Sequence, residues 1–266
     1  MTSDSTTWDA HDYAQHSSAQ LKWARELITK LHLRGDESLL DIGCGNGRVT
    51  AEIASLLPDG YVTGIDSSPD MIKLAENTFP HHIFTQLYFT RMDAREINFI
   101  NRFDIVFSNA TLHWVKDHNP VLSGIYRALK NKGRFLLQMG GKGNAADMVK
   151  TVESVMAKKN WRKYFTGYKF PYRFYDTDEY AKLIKETGLT ANRIQLIPMD
   201  MVHGSKDELA GWFRTTWHPY SEKIPVHCRD EFINEVITTY LQKYPPEKDG
   251  QTHVNMVRLE VEGCKI

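Results

Sequence analysis

The residues with the clearest chemical potential are three glycines and three aspartates. Gly43, Gly45 and Gly47 alternate with other residues in "LLDIGCGNGRVT", directly after an apolar run, and Asp41 precedes them. Glycine accepts positive φ and lets a ligand approach the backbone, so such a loop between a strand and a helix can cradle a nucleotide-like molecule. Asp66 closes "VTGID" about 20 residues further on, where a carboxylate can accept both hydroxyls of a ribose. Asp93 and Ala94 in "FTRMDA" are placed so that the acid can accept from an adenine amino group while a backbone N–H meets the ring. Each feature also has a plainer reading: glycines that only make a turn, aspartates that only cap helices. Their order along the chain favours one bound nucleoside. A dinucleotide fingerprint would need a third glycine where Arg48 stands, which weakens the reading as a nicotinamide-dependent dehydrogenase.

These residues need a scaffold that brings them to one edge. Short β-branched or apolar runs at 38–42, 61–65, 87–91, 103–108 and 133–138 read as strands. Helical stretches at 48–57, 69–79 and 120–129 separate most of them, the second opened by Ser68 as N-cap and Pro69 at the first helical position. Strands alternating with helices give parallel βαβ units and a doubly wound α/β sheet, whose ligands sit at the carboxyl ends of the strands. The candidate residues fall there. An amphipathic helix is expected at 18–31, before the sheet. Beyond the sheet, helices are expected at 145–158, 178–187, 205–213 and 229–244, with strands at 192–199 and 253–262. Residues 204–246 then form a helical insertion between the last two strands, placed as a cap above the sheet. The expected organisation is a single domain, 1–266, with a helical segment at 1–35 over the ligand site and a ligand-binding core at 36–140.

Composition excludes several functions. The 33 basic residues balance the 33 acidic ones over 266 residues, so no net field draws the chain to nucleic acid or an anionic membrane. The three cysteines, Cys44, Cys228 and Cys264, are widely spaced and lack metal-ligand spacing, and the pair His81–His82 lies in a polar loop. No metal is expected. No apolar run reaches the length of a membrane span and the N-terminus lacks signal-peptide character, so a cytoplasmic location is expected.

The successive motifs "LLDIGCGNGRVT", "VTGIDSSPDMI", "RMDA" and "FDIVFSNATLHWV" resemble those of the class I S-adenosylmethionine-dependent methyltransferases. More closely, "WDAHDYAQHSSAQ", "SNATLHWVKDH" and a "YP…DGQ" element resemble the group containing trans-aconitate methyltransferase and the juvenile hormone acid methyltransferases. The resemblance implies a mostly parallel seven-stranded, Rossmann-like sheet with S-adenosyl-L-methionine as cofactor. It implies that Asp41, Gly43, Cys44 and Gly45 surround the methionine part and that Asp66 holds the ribose. Ser67 and Met71 would border the adenosine, Asp93 and Ala94 bind the adenine, and the Asn109 backbone face the amino group. It further implies that Gln20 and Trp114 orient a substrate carboxylate; Tyr13 could border the sulfonium by its ring or hydroxyl, or serve ordinary packing.

A carboxylate acceptor needs no general base, because it is ionised at neutral pH. The expected activity is therefore O-methylation of a small carboxylic acid. The alternatives are a nitrogen, phenol or carbon acceptor, for which His113 would have to serve as base, and a catalytically silent binding module. The aromatics Trp212, Phe213, Trp217 and Tyr220 of "GWFRTTWHPY" could line an acceptor pocket or form the core of the cap itself. Arg214 is the cation available there for a second carboxylate. A tricarboxylate would call for more than one such cation in that segment.

Overall fold

A computed structural model describes residues 18–266, with side chains described at Leu21 and from Trp23 onward. Its centre is a seven-stranded sheet in the order β3-β2-β1-β4-β5-β7-β6. The strands are β1 (Ser38–Ile42), β2 (Tyr61–Asp66), β3 (Leu87–Arg91), β4 (Phe103–Asn109), β5 (Leu129–Gly140), β6 (Thr190–His203) and β7 (Thr252–Cys264). The first five are mutually parallel, and β7 runs antiparallel to both β5 and β6. The sheet is doubly wound, as the alternation of strands and helices requires.

Alternation along the strands sorts the core into two faces. Leu39, Val62, Ile105, Phe107 and Leu136 pack with Leu27, Ile28 and Leu31 of helix α1 (Ser18–Thr29 and its following turn) and with Ile53 and Ala54 of α2 (Arg48–Ser55). Leu40, Ile42, Val106, Phe135 and Leu137 pack on the other face. Opposite them lie Val121, Leu122 and Ile125 of α4 (Asn119–Ala128) and Tyr180 and Ile184 of α6 (Thr177–Glu186). Helix α3 (Pro69–Thr78) starts as the sequence indicates: the Ser68 hydroxyl accepts from the Met71 N–H and Pro69 occupies the first turn.

The last two strands extend further than expected. β7 pairs with β5 only from Arg258 to Cys264, opposite Gly140 to Arg134, while its pairing with β6 continues to Thr252 opposite His203. Because β7 is antiparallel, its first half projects as a two-stranded ribbon past the carboxyl end of β5. The helices between these strands are α7 (Lys206–Thr216), the short α8 (His218–Ser221) and α9 (Arg229–Lys243). They share one apolar cluster with α5 (Ala146–Met156), with Val254 and Met256 of the ribbon, and with Trp161, Phe165 and Tyr172. Residues 157–176, whose only regular element is the 3-10 turn Arg162–Phe165, contribute much of this cluster's aromatic surface.

Candidate active site

The glycine loop turns because its backbone is left-handed where only glycine fits well. Gly43 has φ 78°, and a Cβ there would lie 2.1 Å from the Thr111 side chain. Gly47, at φ 79°, caps α2 with Phe89 and Ala75 so close that a methyl group would collide with the Phe89 ring. The Gly43 and Cys44 N–H groups donate to the Ile65 carbonyl at 2.7 and 3.0 Å, tying the loop to the end of β2. Thr111 closes the other side by donating its hydroxyl to the Gly43 and Asn109 carbonyls. Arg48, in the place of a third glycine, is exposed at the start of α2.

Three acids stand around this loop. Asp41 is buried on the α1–α2 face of β1, where the Thr50 hydroxyl of α2 donates to its Oδ2 at 2.7 Å. Burial pushes its pKa up to about 7, against the lowering effect of the Thr50 hydrogen bond, and Asp66 raises it further. Asp66 accepts the Gly45 N–H at Oδ2 (3.0 Å) and the Ser68 N–H at Oδ1 (2.9 Å), which fixes its carboxylate at the β2 edge; burial raises its pKa as well. Asp93 caps a single 3-10 turn, Ala94–Glu96, and is held by the exposed Arg95, whose hydrogen bond keeps its pKa below the ordinary value. Met71 is buried on the inner face of α3, Ser67 is exposed, and Cys44 is buried within the loop. Thus Asp41, Gly43, Cys44, Gly45, Asp66, Ser67, Met71, Asp93, Ala94 and Asn109 all lie at the carboxyl ends of β1 to β4 or in the segments that follow them.

His113 and Trp114 follow β4 in a 3-10 turn, and a wall of aromatic rings meets them there. The Trp114 ring is 4.8 Å from Tyr172 and stacks on His218 at 5.1 Å. Tyr172 and Phe174, two residues apart in extended chain, stack at 5.7 Å, and the Arg173 N–H donates to the His113 carbonyl at 2.8 Å. Tyr172 also reaches Trp217 at 5.6 Å. His113 is buried and its Nδ1 accepts a long hydrogen bond, 3.4 Å, from the Gly140 N–H. Burial drives its pKa down to about 3, with Arg258 and His118 adding to the effect. His218 is lowered to about 4 by burial, so it too is neutral near pH 7. Of the other candidates, Tyr13 lies outside the described residues, as does the side chain of Gln20. Trp212, Phe213, Trp217 and Tyr220 are buried in the cluster under α7 to α9, while Arg214 is exposed. His81 donates its Nδ1–H to the Leu87 carbonyl and packs on Tyr88.

Aspartates at the ends of β1 and β2 and a left-handed glycine loop meet at the switch between sheet halves, where a nucleoside could be held without a phosphate cradle. The family model described as a methyltransferase domain matches residues 33–188. The chain belongs to this methyltransferase family. S-Adenosylmethionine is its cofactor and methyl transfer its reaction; the dehydrogenase alternative falls away. An uncharacterised methyltransferase of Schizosaccharomyces pombe is 33% identical over 194 residues, 71% of this chain and 73% of that protein. Trans-aconitate 2-methyltransferase of an Enterobacter species is 26% identical over 95% of this chain and 96% of its own. Among solved structures, phosphoethanolamine N-methyltransferase 2 of Haemonchus contortus with S-adenosyl-L-methionine superposes with a TM-score of 0.62 at 19% identity. That match covers 96% of the methyltransferase described here and 56% of the other chain. It shares the Rossmann-like fold.

The resemblance to acid methyltransferases passed over several residues that the tertiary structure places at this site. Thr50 and Thr111, the partners of Asp41 and Gly43, carry no motif signal. The alternation of Phe170, Tyr172 and Phe174 is an extended-chain pattern that could have marked a ring-bearing wall. Trp23 and Arg258, 4.7 Å from ring centroid to guanidinium carbon, come from opposite ends of the chain. Among the described residues no group of three or more His, Cys, Asp or Glu side chains could hold a metal ion, and no helix is long and apolar enough to cross a membrane.

Proposed function

We propose that this methyltransferase esterifies the carboxylate of a small organic acid. S-Adenosylmethionine supplies a sulfonium-bound, electrophilic methyl group. Asp66 would accept from the ribose hydroxyls, Asp93 and the Ala94 N–H would meet the adenine, and Ser67 and Met71 would border it. Asp41, Gly43, Cys44, Gly45 and the Asn109 carbonyl would surround the methionine part, with Asp41 ionising against its ammonium. Trp114 and Gln20 would orient the acceptor oxygen in line with methyl and sulfur, and Tyr13 would border the sulfonium. The helices α7 to α9, acting as a cap at 204–246, and the segment 1–35 would exclude water. Ordering the two reactants in this way can account for about 7 to 11 kcal/mol of barrier lowering.

The observation that carries the acceptor class is the state of His113. Its Nδ1 already accepts from Gly140 and its pKa lies at about 3, so it is a poor proton acceptor at neutral pH. A phenol or ammonium acceptor would need such a base; a carboxylate does not. The 26% identity with trans-aconitate 2-methyltransferase supports the same class without fixing the acid. A cytoplasmic setting is consistent with three free cysteines. The test is a screen of carboxylic acids with methyl-labelled cofactor, reading product mass and alkaline lability. An alkali-stable product, or an acceptor whose rate follows an ionisation of His113, would overturn the carboxyl assignment.

A further inference from the structure

Arg258 sits where β7 leaves the sheet, opposite Gly140, the last paired residue of β5. It is only 4% exposed. Its guanidinium lies 4.7 Å from the Trp23 ring of α1, and its charge is felt at His113, which Gly140 contacts through its N–H. One strand step of two residues away on the same face, Glu260 is buried and held by Lys30 of α1, Arg193 of β6 and Gln138 of β5. Trp23 and Lys30 are two helical turns apart on α1, so the helix meets β7 at both residues and sets the position of the Arg258 stem. The guanidinium is planar and its donors form a fork that matches a carboxylate, and stacking on an indole fixes that plane. It therefore has the position and the geometry of an anion-recognising group beside the Trp114 wall. We propose that Arg258 binds an anionic group of the acceptor and is the main determinant of the enzyme's preference for charged over neutral acceptors. This rests on the acid-acceptor reading above, and it adds the cation that "GWFRTTWHPY" does not bring inward, Arg214 being exposed.

The test reads binding rather than turnover. The full-length protein saturated with S-adenosylhomocysteine is titrated by calorimetry with trans-aconitate, with decanoate and with methyl decanoate. The expected result is that the wild type binds at least one of the two acids, that Arg258→Gln weakens that binding tenfold or more, and that Arg258→Lys restores part of it. Affinity for the neutral ester and for S-adenosylhomocysteine should change less than threefold, whereas a merely structural loss would weaken acid and ester together. Equal binding of the acid by wild type and Arg258→Gln overturns the proposal, as does failure of both acids to bind the wild type, or parallel loss of acid and ester in Arg258→Lys. Acids that bind through Arg258 but yield no methyl ester would sink carboxyl methylation and leave the anion site standing.

Discussion

The two sides of the site are built by different physics. On the cofactor side, from β1 to β4, backbone N–H groups and side-chain donors fix three carboxylates, through partners that lie within the same loop, on the following helix or at the neighbouring strand end. On the acceptor side, from α5 to β7, stacked and edge-on rings from distant segments make the wall, and its polar groups are neutral histidines and an arginine. Hydrogen-bonded turns tolerate almost no change of residue type. Ring packing tolerates volume-conserving change and so can be retuned for a new acceptor without disturbing the donor. On the proposed function, one sheet edge would thus hold a cofactor whose site is fixed by its turns and an acceptor whose pocket could be repacked.

Substitutions should separate the two sides, beginning with the largest effect. Gly43→Ala forces a methyl group into Thr111 and into positive φ; it should abolish measurable cofactor binding and lower the melting temperature, since such strain costs about 1–3 kcal/mol before any clash. Next, Asp66→Ala removes the acceptor of two backbone N–H groups and, in the proposed pose, of the ribose, and calorimetry should show cofactor affinity down by about tenfold to a hundredfold. If instead Asp66→Ala mainly raised the KM of the acid, the division between the sides would be wrong.

On the acceptor side, Tyr172→Ala should raise the acceptor KM by about tenfold or more through loss of the ring against Trp114, with cofactor affinity unchanged. The pH dependence differs between the sides too. Asp41, pushed up to about 7, is mostly protonated in the free enzyme at lower pH. In the proposed pose Asp41 must be ionised to meet the cofactor ammonium, so affinity should fall about tenfold per pH unit below that value and level off above it. Asp41→Asn should flatten the profile at weaker affinity; a flat wild-type profile would refute the ammonium contact. The acceptor side should show no matching inflection between pH 6 and 8, because His113 titrates near 3 and stays neutral throughout. The smallest effect is expected for Arg214→Ala, an exposed change worth within about 0.5 kcal/mol in stability, with less than a twofold change in KM.

The sheet core was largely legible in the residues. The runs at 38–42 and 87–91 coincide with β1 and β3, and β2 and β4 each extend one residue beyond expectation, to Asp66 and Asn109. The ribbon was less so: β6 begins at Thr190 and ends at His203 instead of spanning 192–199, because it is an edge strand paired only with β7 and its outer half packs Met199 and Met201 against a cluster of helices rather than the sheet core. The short helix His218–Ser221 had no periodic signal, and the aromatic segment 157–176 had none beyond the alternation of Phe170, Tyr172 and Phe174. Their conformation follows from contacts with Trp114, His113 and α9, which no local window contains.

The sequence by itself determined the succession of strands and helices, the glycine turn and the acids at its edge; the family and its methyl donor followed from the resemblance of those motifs to a known family. These depend on local chemistry: which residues accept positive φ, which start a helix, which end a strand. Only the tertiary structure decided that His113 is buried and neutral, that the four rings of "GWFRTTWHPY" face inward while Arg214 faces out, and that Arg258 from the last strand meets Trp23 from the first helix. Desolvation and long-range packing set those outcomes, and both are properties of what surrounds a residue in space rather than of its neighbours along the chain.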